Sequence, residues 1–429
     1  MTIRRRLPQL ASEFVRRQFP GLDKGSICLN NGAGSLVHKG AIERHQSIVK
    51  TMSYPLLNLR GMDSKSHVDV QNRAAQYARI ASFVNADPDE IAFGPSTTGL
   101  LRTLTNSLRP NLNADSEIIV SILCHEAGIT AWRALAKSLG IVIKWWAPPK
   151  VNGCNTDPKL TLESLRPLLT PKTRLVCCGH VSNITGTIEP IKDIADLVHT
   201  IPGAMVCVDG VAMAPHRPID VKSLDVDFYI FSWYKVFGPH ISQLYARRRI
   251  QQRWLTSLNH YFFEPNALSI KLGLGNHCIE LEHSVVPIIN YLEDQIGWEP
   301  LIAHEQAITG YLLRYLKDNP GLYTVYGSQS SDRNDRVSLV SFSVNGLSSD
   351  QVAREIHETS PCRLISGDCW SPRTVYDILG RGDDGIIRVS LVHYNTIDEM
   401  RTFTEVLDRA VRRLSHGDSG SVSMHAEAL

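Results

Sequence analysis

No apolar run in this chain approaches the ~20 residues that a membrane-spanning helix needs. None follows the basic cluster in MTIRRRLPQL either, so neither a membrane segment nor a secretory signal is expected. An excess of one charge is also missing. Forty-five Lys and Arg face 43 Asp and Glu, for a formal net charge of +2, and no basic block interleaves with aromatics. Nucleic acid is therefore not an expected partner. The nine cysteines are odd in number and lack paired spacings, which fits reduced thiols better than a disulfide framework. No Cys and His set has zinc spacing, so no metal is expected, and no Ser–His–Asp arrangement stands out. LNNGAGS (29–35) is glycine-rich, but no strand–GxGxxG–helix unit surrounds it, so it is not a dinucleotide fingerprint. It reads either as a loop that lets backbone approach a ligand or as a flexible turn. These exclusions leave a soluble, cytoplasmic protein.

What is present is an ordinary globular balance, 43% hydrophobic and 21% charged, over 429 residues, enough for more than one domain. Short apolar runs alternate with amphipathic segments. EIIVSIL (117–123), IVIKWW (141–146), TRLVCCGHVS (173–182), AMVCVDG (204–210), DFYIFS (227–232) and SQLYARR (242–248) read as strands. Helices are expected through 131–139 and 191–200. This alternation implies crossover units, a mostly parallel sheet and a ligand site at the strands' carboxyl ends. A second unit is expected after about residue 265. It holds long helices, strands at VSLVSFSVNG (337–346) and RVSLVHYNT (388–396), a Ser-Ser-Asp-capped helix between them and a last helix over 396–414. The expected division is an N-terminal segment, 1–25, packing beside the second unit; a large domain, 26–265; a small C-terminal domain, 266–414; and a disordered tail, 415–429.

The segment VDGVAMAPHRPIDVKSLDVDFYIFSWYKVFGPH (208–240) carries the most chemistry. Asp209 ends one apolar strand and Lys235 follows the next. A lysine that can join an aldehyde and a carboxylate that can keep a pyridine nitrogen protonated suit a pyridoxal phosphate site. Taken singly, Lys235 could be a surface lysine and Asp209 a helix cap. FGPSTTGLLRTL (93–104) sets Ser96 and Thr97 at a helix entrance, which makes either a phosphate cradle or an ordinary N-cap. Ser232 could add a further phosphate hydroxyl or simply end its strand. His125, just past a strand, could stack on a pyridine face or be structural. Asn183 could reach the cofactor's phenolic oxygen or a substrate carboxylate, or sit in a turn. Arg388 could bind an α-carboxylate bidentately or lie solvated at a strand end. Cys369, in SGDCWSP, is a possible nucleophile or an unreactive thiol.

FGPSTTGL, CHEA, HVSNITGT, VDGVAMAPH, FSWYKVFGPH and IIRVSLVHYNT together resemble the fold-type I pyridoxal phosphate enzymes of the class V aminotransferase and cysteine desulfurase group. The resemblance covers roughly residues 14 to 414. It implies an α/β fold with a mostly parallel seven-stranded sheet in the large domain and a smaller C-terminal α/β domain. It also implies pyridoxal 5'-phosphate as cofactor and a homodimer with its site near the subunit interface. Carried over, Lys235 matches the Schiff-base lysine, Asp209 the pyridine partner and His125 the stacking histidine. Ser96, Thr97 and Ser232 match phosphate positions, while Asn183 and Arg388 match the substrate-side asparagine and arginine. Through LCHEA, IKWW, FSWYK with FGPH and TSLNHYF (256–262), the chain resembles a fungal desulfurase-like branch of the group. That likeness implies a carbon–carbon bond-forming lyase, a decarboxylative aldolase of secondary metabolism. L-aspartate would lose its β-carboxylate and add to an aldehyde, giving a γ-hydroxy-α-amino acid. The alternative is a cysteine desulfurase or C–S lyase using Cys369; a silent cofactor-binding module is a third reading. Three positions depart from the desulfurase pattern. Ala212 stands where a glutamine usually contacts the phenolic oxygen, and Tyr234 where a histidine often precedes the lysine. GDCWSP is one residue shorter than the usual persulfide loop, with Asp368 in place of its histidines.

Overall fold

A computed structural model describes residues 12–51, 66–149, 151, 155–261, 264–273 and 278–416. The strands among them are β1 (Ile27–Cys28), β2 (Ile91–Gly94), β3 (Glu117–Ser121), β4 (Val142–Trp146), β5 (Thr173–Gly179), β6 (Met205–Asp209), β7 (Phe228–Ser232), β8 (Ser242–Ala246), β9 (Tyr323–Tyr326), β10 (Leu339–Val344), β11 (Cys362–Arg363), β12 (Ile365–Gly367) and β13 (Ile386–Ser390). Seven form one sheet in the order β2-β8-β7-β6-β5-β3-β4. β4, β3, β5, β6 and β7 run parallel, and β8 runs antiparallel to both of its neighbours. This is the mostly parallel α/β sheet that the resemblance implied.

The central strands are apolar without interruption because helices cover both faces of the sheet. Val176 and Cys178 of β5, Val206 and Val208 of β6, and Tyr229 and Phe231 of β7 enter one core. Their neighbours Leu175, Cys177, Met205, Cys207, Phe228 and Ile230 point to the other. On the first face, the helix Ile191–His199 buries Ile191, Ile194, Ala195 and Val198, the spacing of one helical stripe. On the second lie the helices Thr97–Leu108 and Ala127–Leu139; the latter stops at Gly140, whose φ of +69° ends a helix without strain.

A second, antiparallel sheet has the order β12-β13-β10-β9. The helices Trp298–Lys317, Ser349–Thr359 and Ile397–His416 close its core. The Ser348 hydroxyl caps the second of these, accepting from the Gln351 N–H. The strand expected over 388–396 ends at Ser390. Beyond it, Asn395 closes a turn: its Oδ1 accepts the Val392 N–H at 3.0 Å, and its own N–H donates to the Val392 carbonyl at 2.9 Å. The last helix runs to His416, and the expected tail after it lies outside the described residues, as do residues 1–11 and Phe262.

Contact of the N-terminal segment with the small sheet reaches beyond residue 25. β1 pairs parallel with β11, and Asn30 bridges to Ser390. Phe19 anchors the same segment, 4.7 Å from the Tyr394 ring and 5.5 Å from Phe237, which lies just past Lys235. Residues 27–35 therefore run along the seam between the two sheets. Among the described residues no helix is long and apolar enough to cross a membrane.

Candidate active site

Five strand-to-loop junctions converge at one end of the large sheet. Asp209 is the last residue of β6, Ser232 the last of β7, and Lys235 ends the single tight turn that follows. His125 lies four residues past β3, Asn183 four past β5 and Ser96 two past β2. Ser96, Thr97, His125, Asn183, Asp209, Ser232 and Lys235 all line one inner cavity.

Asp209 is half-buried and lines the inner cavity. Its Oδ1 accepts the Val211 N–H at 2.9 Å, and burial raises its pKa against the pull of that N–H and of Lys235. The next residue must be glycine, since a Cβ on Gly210 would meet the Tyr229 ring at 2.1 Å. Lys235 is only 8% exposed. Burial first, and Arg388 second, lower its amine to about 8 although Asp209 pulls the other way. Among the described residues no hydrogen bond holds that amine. His125 Nδ1 accepts the Ala127 N–H at 3.1 Å, so a neutral ring carries its proton on Nε2. Burial, then Lys235 and Arg388, push its pKa down to about 4, which keeps the ring uncharged at neutral pH.

Ser96 is the N-cap of the helix Thr97–Leu108, accepting the Gly99 N–H at 3.0 Å, and its own O–H proton remains available. Thr97 Oγ1 lies 2.8 Å from Ser232 Oγ, which lies 2.6 Å from Ser242 Oγ. Ser242 escaped the sequence reading; its signal is the pairing of β7 with β8, which sets it opposite Ser232. An amine without a hydrogen bond among the described residues, a half-buried carboxylate with no basic hydrogen-bond partner among them, and clustered hydroxyls at a helix N-terminus are the donor set that pyridoxal phosphate requires. The residues fit that cofactor.

A second, outer cavity shares His125, Asn183, Tyr234 and Lys235 with the first, and adds Gly32, Ala33, Ile365, Cys369, Trp370 and Arg388. Arg388 projects from β13, 3% exposed. It donates from one terminal nitrogen to the Asn183 carbonyl at 3.0 Å and from the other to Asn30 Oδ1 at 3.3 Å. Among the described residues its buried Nε has no hydrogen-bond partner. The glycine-rich loop lies against it: Gly32 N–H donates to Ser390 Oγ at 2.6 Å, and a Cβ on Gly32 would sit 3.3 Å from the guanidinium carbon. The Asn183 amide is committed to a loop of the small domain. Its Nδ2 donates to the Cys369 carbonyl at 3.0 Å, and its Oδ1 accepts the Ser371 hydroxyl at 2.9 Å. Cys369 is 5% exposed, and burial raises its thiol pKa although Arg388 and Lys235 oppose the shift. Ala212 puts no donor into the inner cavity, and Tyr234 stacks on His240 at 5.0 Å. All eight described cysteines are free, and no described group of His, Cys, Asp and Glu is placed to hold a metal.

Residues 35–403 match the family described as Aminotransferase class-V. The chain is 48% identical over 402 residues to the cysteine desulfurase-like protein ustD of Aspergillus flavus, covering 94% of this chain and 91% of that protein. It is 52% identical over 405 residues to the nonribosomal peptide synthetase-like enzyme fsqF of Aspergillus fumigatus. That match covers 94% of this chain but only 27% of the larger protein's length. Among solved structures, the apo cysteine desulfurase of Thermococcus onnurineus shares the fold, with a TM-score of 0.80 and 23% identity over 95% of this chain and 98% of that one. The chain belongs to the aminotransferase class-V family, whose members use pyridoxal phosphate.

Proposed function

We propose, from the premise that this chain is a class V, pyridoxal phosphate-dependent enzyme, that it joins L-aspartate to an aldehyde. The β-carboxyl group leaves as carbon dioxide, and the aldehyde carbon takes its place to give a γ-hydroxy-α-amino acid. The observation that carries this reading over sulfur transfer is the state of Cys369. A persulfide-forming cysteine attacks as a thiolate and must hand its sulfur onward. Here the thiol is buried, its pKa is raised, and Asn183 clamps its loop.

Each residue then has a task at a stated atom. The hydroxyls of Ser96, Thr97 and Ser232, with the helix N-terminus, anchor the cofactor's phosphate. Bound pyridoxal phosphate supplies an electron sink, and the Asp209 carboxylate keeps its ring nitrogen protonated. His125, neutral and fixed by its Nδ1 bond, packs as a flat ring in the same cavity. Arg388, which lines the outer cavity and is 3% exposed, is the cation left to meet an α-carboxylate, charge-assisted and shielded from water. The Lys235 amine takes the α-proton and returns protons, work that typically contributes ~10²–10⁴-fold in rate. The same reading has the chain act in the cytoplasm as a homodimer in secondary metabolism; for the last of these, the likeness to a fungal nonribosomal peptide synthetase-like enzyme is the support.

The test is cofactor-loaded protein with L-aspartate carrying ¹³C in its β-carboxyl group. Labelled carbon dioxide released in step with aldehyde consumption supports the proposal. Aspartate-derived products that keep the ¹³C label refute it, and sulfide from L-cysteine that is lost on Cys369→Ala refutes it in favour of the desulfurase reading.

A further inference from the structure

Two successive residues of the loop after β12, Cys369 and Trp370, have left-handed backbones, with φ of +47° and +60°. Neither is glycine, and such a backbone is costly for a bulky aromatic. It persists because the loop is held from several sides. The Glu126 N–H donates to the Trp370 carbonyl at 2.9 Å, and Asn183 Nδ2 donates to the Cys369 carbonyl at 3.0 Å. Asp368 Oδ1 accepts the Trp370 N–H at 2.9 Å, while Tyr376 donates its hydroxyl to Oδ2 at 3.2 Å. What this clamping displays is an indole 71% exposed to solvent. Exposed on a strained and braced loop, Trp370 adds little to the core and presents a flat apolar face at a cavity mouth.

Trp370 lines the outer cavity together with Ala33, Tyr234 and Ile365, a wall of small, aliphatic and aromatic groups. Two basic side chains share the lining, and the proposed reaction uses both: Lys235 serves the cofactor and the donor's protons, and Arg388 takes the α-carboxylate. The adjoining Asp368 carboxylate would repel an anionic acceptor. We propose that this outer cavity is the acceptor subsite and that it takes an uncharged aldehyde with an aromatic substituent, stacked on the Trp370 indole. The inference rests on the decarboxylative aldol reading. In that reaction the bond from the donor's β-carbon to its carboxylate breaks, and the electron pair left on that carbon forms the new bond to the aldehyde carbon. A proton from solvent ends on the new hydroxyl oxygen, and no oxidant or reductant takes part.

Cofactor-loaded wild type, W370A and W370F are compared with L-aspartate and either benzaldehyde or propanal. In W370A, kcat/KM for benzaldehyde falls about tenfold, chiefly through KM, while that for propanal moves less than about twofold. W370F restores most of the loss, because a ring returns. Equal losses for both aldehydes, or none for either, overturn the proposal. A second readout needs no turnover: wild-type protein broadens the ¹⁹F line of 4-fluorobenzyl alcohol, an unreactive analogue, and W370A does so far less. Should the wild type release no carbon dioxide from aspartate with any aldehyde, the aldol reading fails, and the fluorine line then judges the aromatic subsite alone. Undiminished broadening by W370A would overturn it.

Discussion

The inner and outer cavities share four lining residues but are built in opposite ways. The inner one is a floor: its groups stand at the ends of neighbouring strands, so a single, mostly parallel sheet positions Asp209, Ser232 and Lys235 at once. The outer one is a wall assembled across the chain. Gly32, Asn183, Cys369 and Arg388 come from four distant segments, joined by hydrogen bonds such as Arg388 to the Asn183 carbonyl and Asn183 to the Cys369 carbonyl. A floor set by strand ends can carry chemistry common to a family, while a wall set by loops can vary the partner.

Lys235→Ala strikes the floor and should have the largest effect. Carbon dioxide release from aspartate is expected to fall by about 10²–10⁴-fold, measured with the folded state checked by circular dichroism. A variant retaining near wild-type turnover would remove the floor from the chemistry. Arg388→Lys strikes the junction of floor and wall. It keeps a positive charge but replaces the planar fork with a point donor, so KM for aspartate should rise about 10–100-fold. A rise in the aldehyde KM alone would move Arg388 to the wall.

Acidity probes the floor more gently. With its amine lowered to about 8, Lys235 in the apoprotein is charged below that pH and neutral above it. Only the neutral amine can join the cofactor's aldehyde. Reconstitution followed by absorbance should therefore quicken about tenfold per pH unit up to about 8 and then level off. A rate independent of pH across this range would contradict the assignment. The smallest effect is expected in the wall. Cys369→Ala removes a protonated, buried thiol and should change aldol turnover by no more than about twofold, with a stability loss of about 1 kcal/mol seen in thermal melts.

The floor was legible in the sequence because each of its groups follows an uninterrupted apolar strand, a pattern local to a few residues around Asp209 or Lys235. Ser96 is a true N-cap, and it also lines the inner cavity. The short strand β2 leading to it was read only as a helix entrance, because four residues offer little periodicity. The wall was legible in its residues but not in its bonds. Asn183 was expected to reach cofactor or substrate, yet its amide braces the Cys369 loop, a contact across 186 positions that no local pattern announces. Ser242 arises in the same way, from the pairing of β7 with β8 that sets it opposite Ser232. The glycine loop at 29–35 was ambiguous until β1 paired with β11 and laid Gly32 against the guanidinium.

The most direct test offers purified, cofactor-loaded protein L-aspartate and L-cysteine side by side, with benzaldehyde present, and follows the products by mass spectrometry. The account predicts a γ-hydroxy-α-amino acid formed from aspartate and benzaldehyde with release of carbon dioxide, and little sulfide. Alanine and sulfide from cysteine, with aspartate untouched, would contradict it.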